Sequence, residues 1–183
     1  MDGRLVPGIS AVLRSAGLLE AMPEATAAMR RGTYAHLATE LDDKGDLVED
    51  ELDPKLVPYL EAWRKCRTEC SFRILAIEEL VGNKHLRYAT KVDRRVMWSG
   101  KETILNLKTG SAWPHYGIQM AGECQAYNRT TLRRVAVYLG KDGRYRLEEH
   151  KDRNDFEIFR AAVKIYWWRD SKCPMEKATT PAL

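Results

Sequence analysis

Between Thr90 and Gly110 the chain reads TKVDRRVMWSGKETILNLKTG, and three of its residues are of types that can work on a phosphate ester. Asp93 precedes a Ser99-Gly100 turn, and Asn106 and Lys108 follow it, two positions apart. Strand side chains alternate between faces, so Asn106 and Lys108 point the same way. A hairpin folded at Ser99-Gly100 sets that face beside Asp93. A carboxylate, an amide oxygen and an ammonium then converge on one spot. Hydrolysis of a phosphodiester needs such a spot. Carboxylates hold a divalent cation that neutralises charge growing on oxygen and activates a water, and a lysine beside it orients the water or stabilises the developing charge. The bland reading is a solvated strand end and an edge lysine, and for a generic hairpin it is the better one.

The elements that must position these residues are legible in the spacing of apolar side chains. A helix is expected between Val6 and Glu20, after Pro7-Gly8 and with Ser10 as N-cap. A second runs from about Pro23 to Asp42, with Gly32 inside it, where something packs closely. An acidic loop spans Asp42 to Asp53, and Pro54 opens a third helix carrying Leu56, Leu60 and Trp63 on one side. Phe72–Val81, Leu86–Trp98 and Lys101–Lys108 read as strands. Trp113–Arg129 returns to helical spacing. Arg133–Leu139 and Arg144–Glu149 form a hairpin around Lys141-Asp142-Gly143, and Asn154–Arg169 is a last helix. The pattern is that of an α/β domain spanning 1–183, with residues 1–5 and 174–183 as frayed tails.

Five short motifs in this order resemble the PD-(D/E)XK nucleases, in particular their RecB-like, phage-type exonuclease branch. They are Arg31-Gly32-Thr33-Tyr34-Ala35-His36, then Ile77-Glu78-Glu79-Leu80, then Tyr88-Ala89-Thr90-Lys91-Val92-Asp93-Arg94. Asn106-Leu107-Lys108-Thr109-Gly110 follows, and then Gly117-Ile118-Gln119-Met120-Ala121-Gly122. Each motif is weak alone; their order over Pro7 to about Arg169 carries the resemblance. It implies a PD-(D/E)XK (restriction-endonuclease-like) fold, a mixed central sheet flanked by helices. It also implies DNA as substrate, Mg²⁺ or Mn²⁺ as cofactor, and action in a bacterial cytoplasm from a phage or prophage gene. A phage recombination protein as partner and an oligomeric state are compatible with it. The implied roles are Asp93 as main metal ligand, His36 as a second ligand, Lys108 as water positioner and charge stabiliser, Asn106 as a weak ligand, and Gln119 as support.

The departures are specific. The family's acidic residue two before the lysine is Asn106 here, which keeps an oxygen but loses the charge. The family's aromatic residue on the glutamine helix is Glu123, four after Gln119 and so on its face. Glu123 is either a relocated metal ligand or a solvated glutamate. Glu78 and Glu79 are adjacent, so only one of them faces the site. A catalytically silent member of the fold, binding DNA or a protein without cutting, is the alternative that Asn106 supports.

Lys91, Arg94, Arg95 and Thr109 flank the motifs and are the expected phosphate contacts, with Lys84, Arg87, Arg129, Arg133 and Arg134 as further basic residues nearby. Trp113, His115 and Tyr116 either stack on a base or cover the core. The net charge of +4 is too small to argue for nucleic acid by itself. Iron–sulfur members of the RecB-like group need one early and three late cysteines. Cys66, Cys70, Cys124 and Cys173 do not have that spacing, so free thiols and no cluster are expected. No apolar run is long enough to cross a bilayer.

Overall fold

Leu105 and Leu107 alternate with Ile104, Asn106 and Lys108 along one short strand, and that alternation organises the molecule. The strand, β3 (Lys101–Lys108), is buried from Thr103 to Leu107 and has neighbours on both edges. In the computed structural model, which describes residues 5–19 and 27–172, five strands pair in sequence order. They are β1 (Arg73–Asn83), β2 (Tyr88–Trp98), β3, β4 (Arg133–Leu139) and β5 (Tyr145–Glu149). Only β3 and β4 run parallel. Parallel neighbours need a long crossover, and α4 (His115–Ala126) supplies it.

The β2–β3 hairpin closes on Ser99 and Gly100, both at positive φ (48° and 73°). That pair suits a two-residue turn matched to strand twist. It also fixes the register, with Trp98 opposite Lys101 and Arg94 opposite Leu105.

Helices cover both faces of the sheet. On one face, Leu105, Leu107, Val135 and Val137 pack with Tyr59, Trp63 and Cys66 of α3 (Val57–Cys70) and with Ala35 of α2 (Ala27–Lys44). On the other, Ile104, Ala136 and Tyr138 meet Met120, Ala121 and Cys124 of α4. A third cluster joins α1 (Ile9–Ser15) and α5 (Asn154–Lys172) through Val12, Leu13, Phe159 and Val163. This is the mixed sheet between helices expected from the sequence.

Several boundaries differ from those expected. The first helix begins at Ile9 with Gly8 at its N-cap, so Ser10 lies inside it. The expected start of the second helix at Pro23 lies outside the described residues, as do the expected tails apart from Leu5. Gly32 has the close neighbour its position in a helix suggested, because a Cβ there would sit 3.3 Å from Thr109 Oγ1. Cys66, Cys70 and Cys124 are free thiols, and burial pushes the Cys124 thiol up to about 12. Cys173 lies outside the described residues. No described helix is long and apolar enough to cross a membrane.

Candidate active site

The β2–β3 ladder stops at Arg94–Leu105, and the side chain of Asp93 takes over where it stops. Asp93 Oδ2 accepts a hydrogen bond from the backbone N–H of Leu107 at 2.8 Å, so the carboxylate sits in the gap between the two strands. Side-chain alternation breaks at this residue. Val92 packs in the α4-side cluster, whereas Arg94 lies over Trp63 of α3 on the other side. Asp93 is therefore displaced from the ideal pleat that would have set it squarely with Asn106 and Lys108.

Two groups of side chains border that gap. The first holds His36, Glu78 and Asp93, whose ligand atoms all lie within 4.8 Å of one another. His36 Nε2 donates to Leu107 O at 2.9 Å, which in the neutral ring leaves a lone pair on Nδ1. That nitrogen faces Asp93 Oδ2 at 3.7 Å. A lone pair opposite a carboxylate is repulsive unless a proton or a metal ion lies between them. Glu78 reaches the group because its backbone is left-handed (φ 49°). It takes ion pairs from Lys91 at 2.7 Å and Arg94 at 3.2 Å. Glu79 faces the other way and binds Tyr127 and Arg95. The question left open between the two glutamates is resolved in favour of Glu78.

The second group lies on the α4 side. Lys108 Nζ donates to Gln119 Oε1 at 3.3 Å and sits over the Tyr116 ring at 4.1 Å. Gln119 Nε2 and Asn106 Nδ2 both donate to Glu123 Oε1, at 3.0 and 2.8 Å. Glu123 is 1% exposed, which removes the solvated reading. Burial, reinforced by the charge of Asp93, pushes its carboxyl up to about 8. Burial lowers the pKa of Lys108, against the pull of Asp93 and Glu123. The two groups are thus electrically coupled through Asp93.

Asn106 Oδ1 and Glu123 Oε2 are buried with no hydrogen-bond partner. Orphaned buried oxygens are rare and costly. These two lie in the second group; the His36–Glu78–Asp93 cluster, with ligand atoms within 4.8 Å of one another, is what a site for a hard divalent cation leaves when read from its donors alone. Oxygen donors and one imidazole also suit Mg²⁺ or Mn²⁺ by type, so the residues fit the cofactor the resemblance implied.

The expected phosphate contacts fare unevenly. Arg94 is fully buried, with Nε 2.6 Å from Asp43, because an arginine turned into this face meets carboxylates from α2 and β1. It is a structural cation, which corrects its assignment to DNA. Arg95 is committed to Glu79 and Glu102, so it too lacks a free guanidinium. Lys91 keeps 59% side-chain exposure while pairing with Glu78. Thr109 stands next to Gly32 beyond Lys108. Arg129, Arg133 and Arg134 are paired with Glu102, Glu149 and Asp155. Arg87 stacks on Trp167. Tyr116 packs on the core while Trp113 is 54% exposed. The sequence reading missed the carbonyl of Leu107 and the role of Asp43. Asp43 had no motif to betray it, and a backbone carbonyl has no sequence signature.

No protein-family model matches the sequence, and a search of curated proteins gives no match. Solved structures do match. An alkaline exonuclease from Laribacter hongkongensis superposes with a TM-score of 0.52 at 12% identity, covering 90% of this chain and 87% of that one. A structure of the same exonuclease in complex with dAMP gives a TM-score of 0.47 at 15% identity, covering 92% and 94%. At such identities the likeness speaks for the fold, and the fold of this chain is that of the alkaline exonuclease, as the five motifs implied.

Proposed function

We propose that this protein hydrolyses DNA phosphodiester bonds with the help of Mg²⁺ or Mn²⁺, as an exonuclease of the phage type. The observation that carries the reading is the convergence of His36, Glu78 and Asp93 at a break between strands, with Lys108 held on the adjoining strand end by Gln119. The cation supplies neutralising charge at the phosphate and a water that ionises more readily. Asp93, His36 and Glu78 are the residues to hold it, with Asn106 Oδ1 and Glu123 Oε2 as further oxygens. Glu123 brings the carboxyl group that Asn106 lacks; burial makes it keep its proton, which it would give up to a bound cation.

The remaining work falls to this chain's own groups. Lys108, whose burial makes it lose its proton more readily than a free lysine, orients the attacking water and stabilises charge on the phosphate oxygen. Gln119 fixes the lysine and the glutamate at once, since its amide bonds both. Phage or prophage origin, work in a bacterial cytoplasm and a recombination protein as partner belong to the same reading.

The test is incubation of linear and covalently closed circular DNA with Mg²⁺ or Mn²⁺. Loss of linear DNA alone, abolished by Lys108→Ala, is the expected result; cutting of circles points to an endonuclease. The second reading, a silent member that binds DNA without cutting, is favoured by Asn106 and by the two cations already on Glu78. Binding without cleavage in both metals would establish it.

A further inference from the structure

Most arginines around this sheet are neutralised by carboxylates, and one cleft has more cations than carboxylates in its lining. It has a volume of about 390 Å³ and lies where the end of β3 meets the β4–β5 hairpin. Arg31, Lys141, Arg144 and Arg146 line it, against one carboxylate, Asp142. Asp142 is turned to the hairpin itself, accepting from the Arg144 backbone N–H at 3.2 Å. Arg144 is 83% exposed, with Nε 3.9 Å from Asp142. Arg146 lies over the Tyr138 ring at 3.9 Å and pairs with Glu148. Among the described residues, Arg31 and Lys141 have no carboxylate partner.

The cleft is continuous with the candidate site. Thr109 and Gly110, which also line it, follow Lys108 directly. Arg31 is brought to them because Gly32 has no Cβ, which lets α2 approach Thr109 Oγ1. Tyr138 is the register partner of Lys108 on β4, so Lys141 lies three residues beyond the lysine's level. Lys141 stands in the hairpin turn past the end of β4, so it is at most roughly 10 Å from that level, within the span of about three nucleotides at 3.4 Å each.

We propose that this cleft holds the phosphodiester backbone of the DNA strand leaving the Lys108 site, with Arg31, Lys141 and Arg144 as its phosphate contacts. An excess of cations over carboxylates, tyrosine rings in the same lining and a path from the reacting centre suit a polyanionic strand, and none of these contacts reads a base. The inference rests on DNA being the substrate of the site but not on its being cut.

The test uses fluorescence anisotropy of a labelled DNA duplex with a single-stranded end, titrated with the full-length protein in Ca²⁺ at several salt concentrations. Binding is then read apart from cleavage. Lys141→Ala/Arg144→Ala should weaken binding about 10-fold near 0.1 M salt and reduce the slope of log Kd against log salt by about two. Arg31→Ala should reduce it by about one, since each phosphate contact contributes about 0.9. Lys164→Ala, on exposed α5, should change neither. All three cleft substitutions are at exposed positions, and thermal denaturation checks that the variants fold. Unchanged slopes in the cleft variants, or no DNA binding by the wild type, overturn the proposal. If the wild type binds with these slopes but does not cut, the cleft stands and the nuclease reading falls.

Discussion

Asn106 Nδ2 donates to Glu123 Oε1 at 2.8 Å, inside the protein. The amide where the nucleases that the motifs resemble have a carboxylate is thus bonded to a carboxyl group where they have an aromatic ring. The carboxyl group has changed element, from β3 to α4, without leaving the site. Glu123→Gln should therefore lower cleavage at least 100-fold and weaken Mn²⁺ binding. Asn106→Asp should change either by less than a few-fold, because it places a second carboxylate against the first. Cleavage rates and calorimetric titration with Mn²⁺ measure both. A large gain from Asn106→Asp would instead mark a disabled site.

The same burial makes Glu123 a source of pH-dependent stability. Its folded pKa, about 8, lies well above the ordinary carboxyl value of 4.5. The folded state therefore holds a proton that the unfolded chain releases. Stability from this group is full below the unfolded pKa and is lost as pH rises through the folded one. In EDTA, wild type should lose stability relative to Glu123→Gln between about pH 4.5 and 8, by an amount on the order of a few kcal/mol. Urea denaturation across that range reads it. Parallel curves for the two proteins would mean the carboxyl is not buried as described.

Arg94 and Asp43 are both fully buried, 2.6 Å apart, and Arg67 also reaches Asp43. Removing Asp43 leaves the buried Arg94 with Glu78 as its one remaining carboxylate and takes a partner from Arg67 and Trp63 as well. Asp43→Ala should cost about 3–5 kcal/mol in chemical denaturation. Arg94→Met alone leaves Asp43 still paired with Arg67, so it should cost less than Asp43→Ala.

Gly122 of α4 has no room for a methyl group, because a Cβ would meet the Phe159 ring at 2.7 Å. Gly122→Ala should destabilise by about 1–3 kcal/mol through overpacking. Phe159→Leu in the same protein should recover part of that loss. A thermal melt of the single and double variants decides it, and additive losses would show that the ring is not the obstacle.

Local pattern was enough for the elements. β3 and β4 have the ends expected of them, Lys101–Lys108 and Arg133–Leu139, because alternating apolar residues between turn signals specify a strand wherever it lies. Asp93 and Lys108 could be nominated because their types and spacing were local too, and His36 and Gln119 because their short motifs resemble those of the nucleases.

What the tertiary structure decided is which of these groups face one another. Arg94 passed for a surface cation because its neighbours in sequence are charged, yet Asp43, fifty-one residues away, draws it into the core. Glu78 and Glu79 were equivalent on paper, and a single left-handed residue in β1 turned Glu78 toward Asp93. Glu123 could be exposed or buried by its spacing alone, and the packing of α4 on the sheet buried it. Spacing sets a side chain's face, but its burial, charge and partners arise from segments that meet only when the chain folds.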